Sequence, residues 1–321
     1  MAHSLRGSAL ASAWLALSAC AGPDAAHDAA PDAAHDAGPS TYAYVVGRVL
    51  TTPPDPSTAY GFDLDGRMGG PVGTCAGAMD FTSPITGATA VDAQLDTLFS
   101  TIDAAVGGDG LAGRVREQIE QGAWLVVLVL DHVDDLTADA DVSLRVVLAR
   151  AAAGTPELSP TCAAHADAAT CSSDGASACV WSAVTSSCSG IAAGQVLEPT
   201  IELGTTRAHI TRGRLEGTID ALPIPLGESS GQPVSLVLHD VRIAGTIDAS
   251  HLTGGELGGA YLVSDYLMAS CPETGPRSMA GCDAAARILS LADLQPDATG
   301  QTCGAFSVGL GIDAVGARLA P

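Results

Sequence analysis

The sequence predicts an α+β chain: β-rich, with a predominantly antiparallel sheet, an early helix pair and a small disulfide-rich insert. Three observations carry that expectation. Apolar residues recur with a period of two at Val142, Leu144, Val146 and Leu148, and again at Phe306, Val308, Leu310 and Ile312. This is the pattern of antiparallel strands with one buried face. Helical spacing is confined to 89–105, to 111–119 and to a stretch near 283–292. Between 162 and 188 the chain places Cys162, Cys171, Cys179 and Cys188 among small and polar residues.

The elements follow in order. Met1–Arg6 carries one positive charge, and an Ala- and Leu-rich stretch then runs into Leu17-Ser18-Ala19-Cys20. A charged start, a short apolar run and small residues before a cut make a secretory signal peptide over 1–19. The stretch is too short to span a bilayer, which needs about 20 apolar residues. Leu17–Cys20 resembles a bacterial lipobox, which implies cleavage before Cys20 and acylation of that residue. Two or three acyl chains on one Cys meet the requirement for stable anchoring. By the same resemblance Ala21, not Asp, after the Cys implies sorting to an outer membrane.

Residues 20–40 then read as a lipidated Cys followed by a disordered Ala/Asp/Pro tether, in which PDAAHDAA and PDAAHDAG stand in tandem. Such a segment has nothing to bury and stays extended and solvated. His27 and His35 occupy equivalent places in the two units, as copies of one repeat rather than a metal site.

The globular domain spans 41–321. Thr89 and Asp92 suggest a capping box, with Val91, Leu95, Leu98, Ile102 and Ala105 at helical spacing before Gly107-Gly108. A second, shorter helix carries Leu111, Val115 and Ile119 and stops near Gly122. Trp124–Leu130 is a buried strand. Arg214–Ala221 recurs as Arg242–Ala249, which reads as two similar strands of one sheet, separated by a strand or a long turn. Gly217 and Gly245, at the centres of these units, mark a bulge or close backbone approach.

Nine Cys minus the acylated Cys20 leave eight: Cys75, Cys162, Cys171, Cys179, Cys188, Cys271, Cys282 and Cys303. An even number in an exported chain indicates four disulfides, with 105 possible pairings. Cys271 and Cys282 would close a short Pro- and Gly-containing loop. The spacing in 162–188 lacks the close CxxC pairs of a zinc ribbon. With Trp181 after its third Cys, that group loosely resembles plexin-type cysteine modules. The segment 159–191 is therefore expected to be an insert, an excursion from the main sheet.

Composition removes whole classes of chemistry. The 321 residues carry 36 acidic and 14 basic groups, a net charge of −22, and every basic residue is Arg. Without Lys there is no Schiff base and no phosphate-loop lysine. The acidic balance argues against nucleic acid as a partner. Gly227-Glu-Ser-Ser-Gly231 matches the serine-hydrolase string, but Pro225 and Pro233 flank it and a strand follows. The hydrolase elbow needs strand-to-helix geometry, so this pentapeptide reads as a hairpin loop. His132, His209, His239 and His251 have no nucleophile at a supporting spacing, and no catalytic residue is assigned.

Asp63-Leu-Asp65-Gly66 begins like a calcium loop, but Arg67 stands where an EF-hand needs an oxygen ligand and Thr74 where it needs Glu. A calcium site from Asp63, Asp65 and Asp80, or from Asp134, Asp135, Asp139 and Asp141, is the weaker alternative to turn-forming Asp. No cofactor is otherwise expected.

The lipobox, the tether, Gly61-Phe-Asp-Leu-Asp-Gly-Arg67, Val91–Leu95 and Phe306-Ser-Val-Gly-Leu-Gly-Ile-Asp313 together resemble a family of uncharacterised exported lipoproteins of high-GC Gram-negative bacteria. The resemblance implies export and anchoring and brings no activity with it. The expectation is a non-enzymatic binding or structural lipoprotein at the outer membrane, held to the bilayer through Cys20, its protein or small-molecule partner unspecified. A carrier of apolar ligands is the alternative, and a hydrolase with an unrecognised site the second.

Overall fold

The computed structural model describes residues 40–51, 55–68, 75, 80–98, 109–229, 232–270, 282, 288–298 and 300–321. The expected signal peptide, Cys20, the expected tether through residue 39, the expected helix beyond 98, Cys271 and 283–287 lie outside them.

Strands dominate. In chain order they are β1 (Ser40–Leu50), β2 (Leu125–Val133), β3 (Ala138–Ala151), β4 (Val180–Ser182), β5 (Ser187–Ser189), β6 (Val196–Thr211), β7 (Arg214–Ser229), β8 (Gln232–Ile247), β9 (His251–Leu262), β10 (Leu294–Pro296) and β11 (Cys303–Leu319). The order β1-β2-β3-β6-β7-β8-β9-β11 is antiparallel throughout, and β11 pairs back with β1 from Ala43↔Ala317 to Leu50↔Gly311. The result is a closed eight-stranded up-and-down barrel. Closure removes the free edges that an open sheet would present.

The predominantly antiparallel, β-rich sheet stands as expected, whereas the α+β label and the early helix pair find only loose support. The described helices, α1 (Gly110–Glu120), α2 (Pro160–Ala163), α3 (Ala168–Ser173) and α4 (Val263–Ser270), form no layer of their own. Of the early pair, α1 stands as expected and stops before Gly122, which takes a left-handed φ of 75°. The described part of the other is not an α-helix. Val91 bridges to Phe81, Ala90 has a φ of 66°, and only a 3-10 turn follows at Gln94–Leu98. Val91 and Ala93 are buried with Ala59 and Phe81 in a small separate cluster, so tertiary contacts decide this segment.

Inside the barrel the side chains are apolar and fill the lumen. All eight strands line its axis, among them Val49, Leu128, Val146, Leu203, Leu222, Ile243, Leu257 and Leu310, and the void left between them is about 40 Å³. An eight-stranded barrel is just wide enough for its own side chains. The outer wall carries charge instead, with Arg145–Asp131, Arg207–Asp141 and Arg150–Glu198 paired across β2, β3 and β6. Among the described residues no helix is long and apolar enough to cross a membrane.

The two copies of the internal repeat are direct partners in one long hairpin, with Arg214↔Thr246, Gly217↔Ile243 and Thr218↔Arg242 in register. No strand separates them. Ser229 and Gln232 pair at the tip of that hairpin, so Ser229 sits at its end and not on an elbow.

Disulfides join Cys75 to Cys303, Cys162 to Cys179 and Cys171 to Cys188. Cys282 is also disulfide-bonded. The interlocked pairs order the insert, whose β4–β5 hairpin stands outside the barrel sheet. The insert is nevertheless docked: Ala178 and Ile191 belong to the main apolar core. A Cβ on Gly47 would come within 2.9 Å of the Ala178 Cβ. Asp109, ahead of α1, accepts hydrogen bonds from Ser182 Oγ (2.6 Å) and from the Ala183 (2.9 Å) and Val184 (3.2 Å) backbone N–H groups.

Candidate binding groove on the outer wall

One side of the barrel is covered by a strap, residues 59–65. It can lie there because the outward positions beneath it are glycines. A Cβ on Gly309 would stand 1.8 Å from the Tyr60 carbonyl oxygen, and one on Gly258 would stand 2.9 Å from the Phe62 ring. Gly258 and Gly309 are direct partners across β9 and β11, so the strap crosses a track without side chains.

Polar contacts hold it down. Gly61 N–H donates to Glu256 Oε1 (3.4 Å), Asp92 N–H donates to the Phe62 carbonyl (3.0 Å), and Arg242 Nη1 donates to the Asp63 carbonyl (2.9 Å). Asp92 Oδ2 accepts from the backbone N–H groups of Leu64 (2.7 Å) and Asp65 (3.1 Å). The residue expected to close a capping box fixes the strap instead.

Beneath and beside the strap lie buried acids. Asp293 accepts from the Ser307 N–H and hydroxyl, and burial pushes its carboxyl up to about 7. Burial raises Asp92 to about 6, against the opposing pull of its two N–H donors. Asp96 is raised well above the ordinary range, again by burial. Its Oδ1 accepts from Gly309 N–H (3.1 Å), while Oδ2 is buried without a partner among the described residues. Burial favours the protonated form of such groups, because removing a charge from water is expensive.

Next to the strap the barrel wall forms a groove of about 660 Å³. Its floor is a transverse row across four strands, His209↔Glu216↔Ala244↔Glu256. Arg214 links the two acids: its Nε lies 3.4 Å from Glu216 Oε1 and its Nη2 lies 3.7 Å from Glu256 Oε2. His209 Nε2 lies 3.5 Å from Glu216 Oε2. Small Ala244 leaves the space between them open. Glu256 is only 1% exposed, and Ser83 Oγ donates to its Oε1 at 2.6 Å. Burial raises its carboxyl, countered by Ser83, Gly61 and Arg214. Thr206, Arg207, Thr218 and Arg242 line the wall, with Phe62, Asp63, Thr86 and Thr89 on the opposite lip. A second cleft of about 480 Å³ shares Thr218 and Arg242 and adds Asp65, Arg67 and Asp293.

The weak calcium candidates divide. Carboxylate oxygens of Asp63, Asp65 and Asp92 lie within 4.8 Å of one another, and Asp80 is not of that group. Each already serves the backbone: Asp63 Oδ1 accepts from Gly66 N–H (2.6 Å) and Asp65 Oδ1 from Arg67 N–H (2.7 Å). These are the bonds by which Asp shapes a turn without an ion. Asp134, Asp135, Asp139 and Asp141 shape the β2–β3 connection similarly. Asp135 accepts from Thr137, Asp139 accepts from the Asp134 and Asp141 N–H groups, and Asp141 pairs with Arg207. His165, Asp174 and Cys179 also converge, but the Cys179 sulfur is in a disulfide.

Of the histidines, His209 reaches the groove. His239 stands near Asp265 at 3.7 Å, and His251 near Asp248 at 3.3 Å. Sequence reasoning missed Arg214, Glu216, Arg242 and Glu256. The available signal was the run of outward glycines at 309 and 311, which marks close backbone approach. Comparison with known proteins adds no assignment: no family model, no curated protein and no solved structure matches the chain.

Proposed function

We propose that this chain is an exported, lipid-anchored, non-enzymatic binding protein of the outer membrane. Its barrel is a rigid scaffold, and the groove beside the strap takes a small polar ligand. The contrast between inside and outside carries this reading. The lumen holds a void of about 40 Å³, whereas the outer groove offers about 660 Å³ with polar side chains converging on it. The groove falls within the ~300–1,000 Å³ typical of small-molecule sites. A carrier of apolar ligands would need its free space in the lumen.

The test is a screen of small polar and small apolar fragments against the full chain in detergent, with sites mapped by crystallography. Polar fragments should collect between the strap and β6–β9. Occupancy concentrated in the lumen would favour the carrier, and no occupancy in the groove would remove this proposal.

A further inference from the structure

We infer that the groove binds a neutral, hydroxyl-rich ligand, a short oligosaccharide. The inference rests on the proposal that the groove is the binding site, and it specifies the chemistry. In a chain with a net charge of −22, the groove is locally balanced. Its charged lining consists of Arg207, Arg214 and Arg242 against Asp63, Glu216 and Glu256. The signs are interleaved: Arg214 stands between Glu216 and Glu256, Arg207 pairs with Asp141, and Arg242 is held by the Asp63 backbone carbonyl. An anion seated here meets carboxylates beside Arg214 and Arg207, and a cation meets the Arg214 guanidinium between Glu216 and Glu256. A hydroxyl group has no such conflict, because it donates to a carboxylate while accepting from a guanidinium.

The remaining lining has the same character. Four threonines, Thr86, Thr89, Thr206 and Thr218, line the groove. Thr86 accepts from Ala88 N–H and Thr206 donates to the Arg207 carbonyl, so these two are engaged. Thr89 and Thr218 are exposed, and among the described residues neither hydroxyl has a partner. Arg242 spends Nη1 on the Asp63 carbonyl and keeps its other donors for a ligand. The Phe62 ring lines the same groove, held over Gly258, and supplies the apolar surface that the C–H face of a sugar ring can cover. Glu256 sets the pattern from below, because its buried carboxylate holds Ser83, Gly61 and Arg214 at once.

The experiment uses the full chain in detergent and saturation-transfer NMR. The neutral probes are maltotriose, cellotriose and N,N′,N″-triacetylchitotriose. Trigalacturonate is the anionic counterpart and the glucosamine trimer the cationic one. Thr218→Val and Glu216→Gln remove a hydroxyl and a carboxylate at exposed positions, with thermal unfolding confirming that both variants fold. At least one neutral trisaccharide is expected to bind saturably, with affinity that changes little between low and high salt. Each variant should weaken it about tenfold, or ~1.4 kcal/mol. Binding of a charged trimer alone, strongly salt-dependent and lost in the variants, would overturn the sugar assignment while keeping the groove as a site. Binding indifferent to both variants, or no binding by any probe, would remove both.

Discussion

Arg48 of β1 and Asp313 of β11 form a buried ion pair on the outer wall of the barrel. Arg48 Nε donates to Asp313 Oδ2 at 2.7 Å, and Asp313 Oδ1 accepts from Gly254 N–H at 2.9 Å. The same guanidinium reaches outward to the insert, where Nη1 donates to the carbonyls of Ser172 (2.8 Å) and Cys179 (3.3 Å). One side chain thus ties the strand pair that closes the barrel to the disulfide-bonded insert.

Replacing Arg48 by Ala leaves the Asp313 carboxylate buried without its cation. Removing one partner of a buried pair costs about 3–5 kcal/mol. Denaturant unfolding of Arg48→Ala should show a loss of that size, and proteolysis within 159–191 should accelerate. The double variant Arg48→Met/Asp313→Leu should lose less, since it strands no charge. Equal losses in the two variants would show that the pair does not act as a unit.

Stability should fall as pH rises. Burial holds Asp92 at about 6 and Asp293 at about 7, and it raises Asp96 well above the ordinary range. An unfolded Asp titrates near 3.9. A carboxyl raised on folding binds its proton more tightly in the native state. Its contribution is therefore complete below about pH 4 and is lost as pH climbs through 6 and 7. The midpoint of urea unfolding should be higher at pH 5 than at pH 8. Asp293→Asn keeps a polar group beside Ser307 and should flatten that slope. A midpoint that rises from pH 5 to pH 8 would contradict the buried-acid account.

Gly309→Ala tests the strap. Its Cβ would collide with the Tyr60 carbonyl, a backbone atom that cannot swing aside. Overpacking typically costs about 1–3 kcal/mol. Hydrogen exchange should show lost protection of Gly61 and Leu64–Asp65 amides, while β2 and β3 stay protected. Unchanged exchange over 59–65 would mean that the strap does not depend on the glycine track.

Acylation is tested at Cys20. The natural chain should enter the detergent phase on phase separation, and Cys20→Ala should stay in the aqueous phase and be released from membranes. Membrane association that survives the substitution would end the lipoprotein proposal. The acylated protein should also show no titratable thiol when denatured without reductant.

Much was legible where the deciding forces are local. Alternating apolar residues marked β3 and β11, because a strand facing a filled lumen on one side writes that period directly, and a continuous apolar run marked β2. α1 declared itself by spacing and its terminal glycine, the Ser229 hairpin by its flanking prolines, and the insert by cysteines that pair only with one another. Closure of the barrel was not legible. It depends on β1 meeting β11 across nearly the whole chain, which no local period encodes. The described part of the expected first helix is not helical at Val91 and Ala93, which are buried against Phe81 and Ala59, contacts strong enough to override helical spacing. The groove was equally hidden. His209, Glu216 and Glu256 come from three strands, and only barrel curvature and the strand registers set them in one row, with Ala244 leaving the gap between the acids. Sequence by itself determined which segments bury a face. Tertiary structure decided which of those faces meet, because register and closure are collective properties of all eight strands.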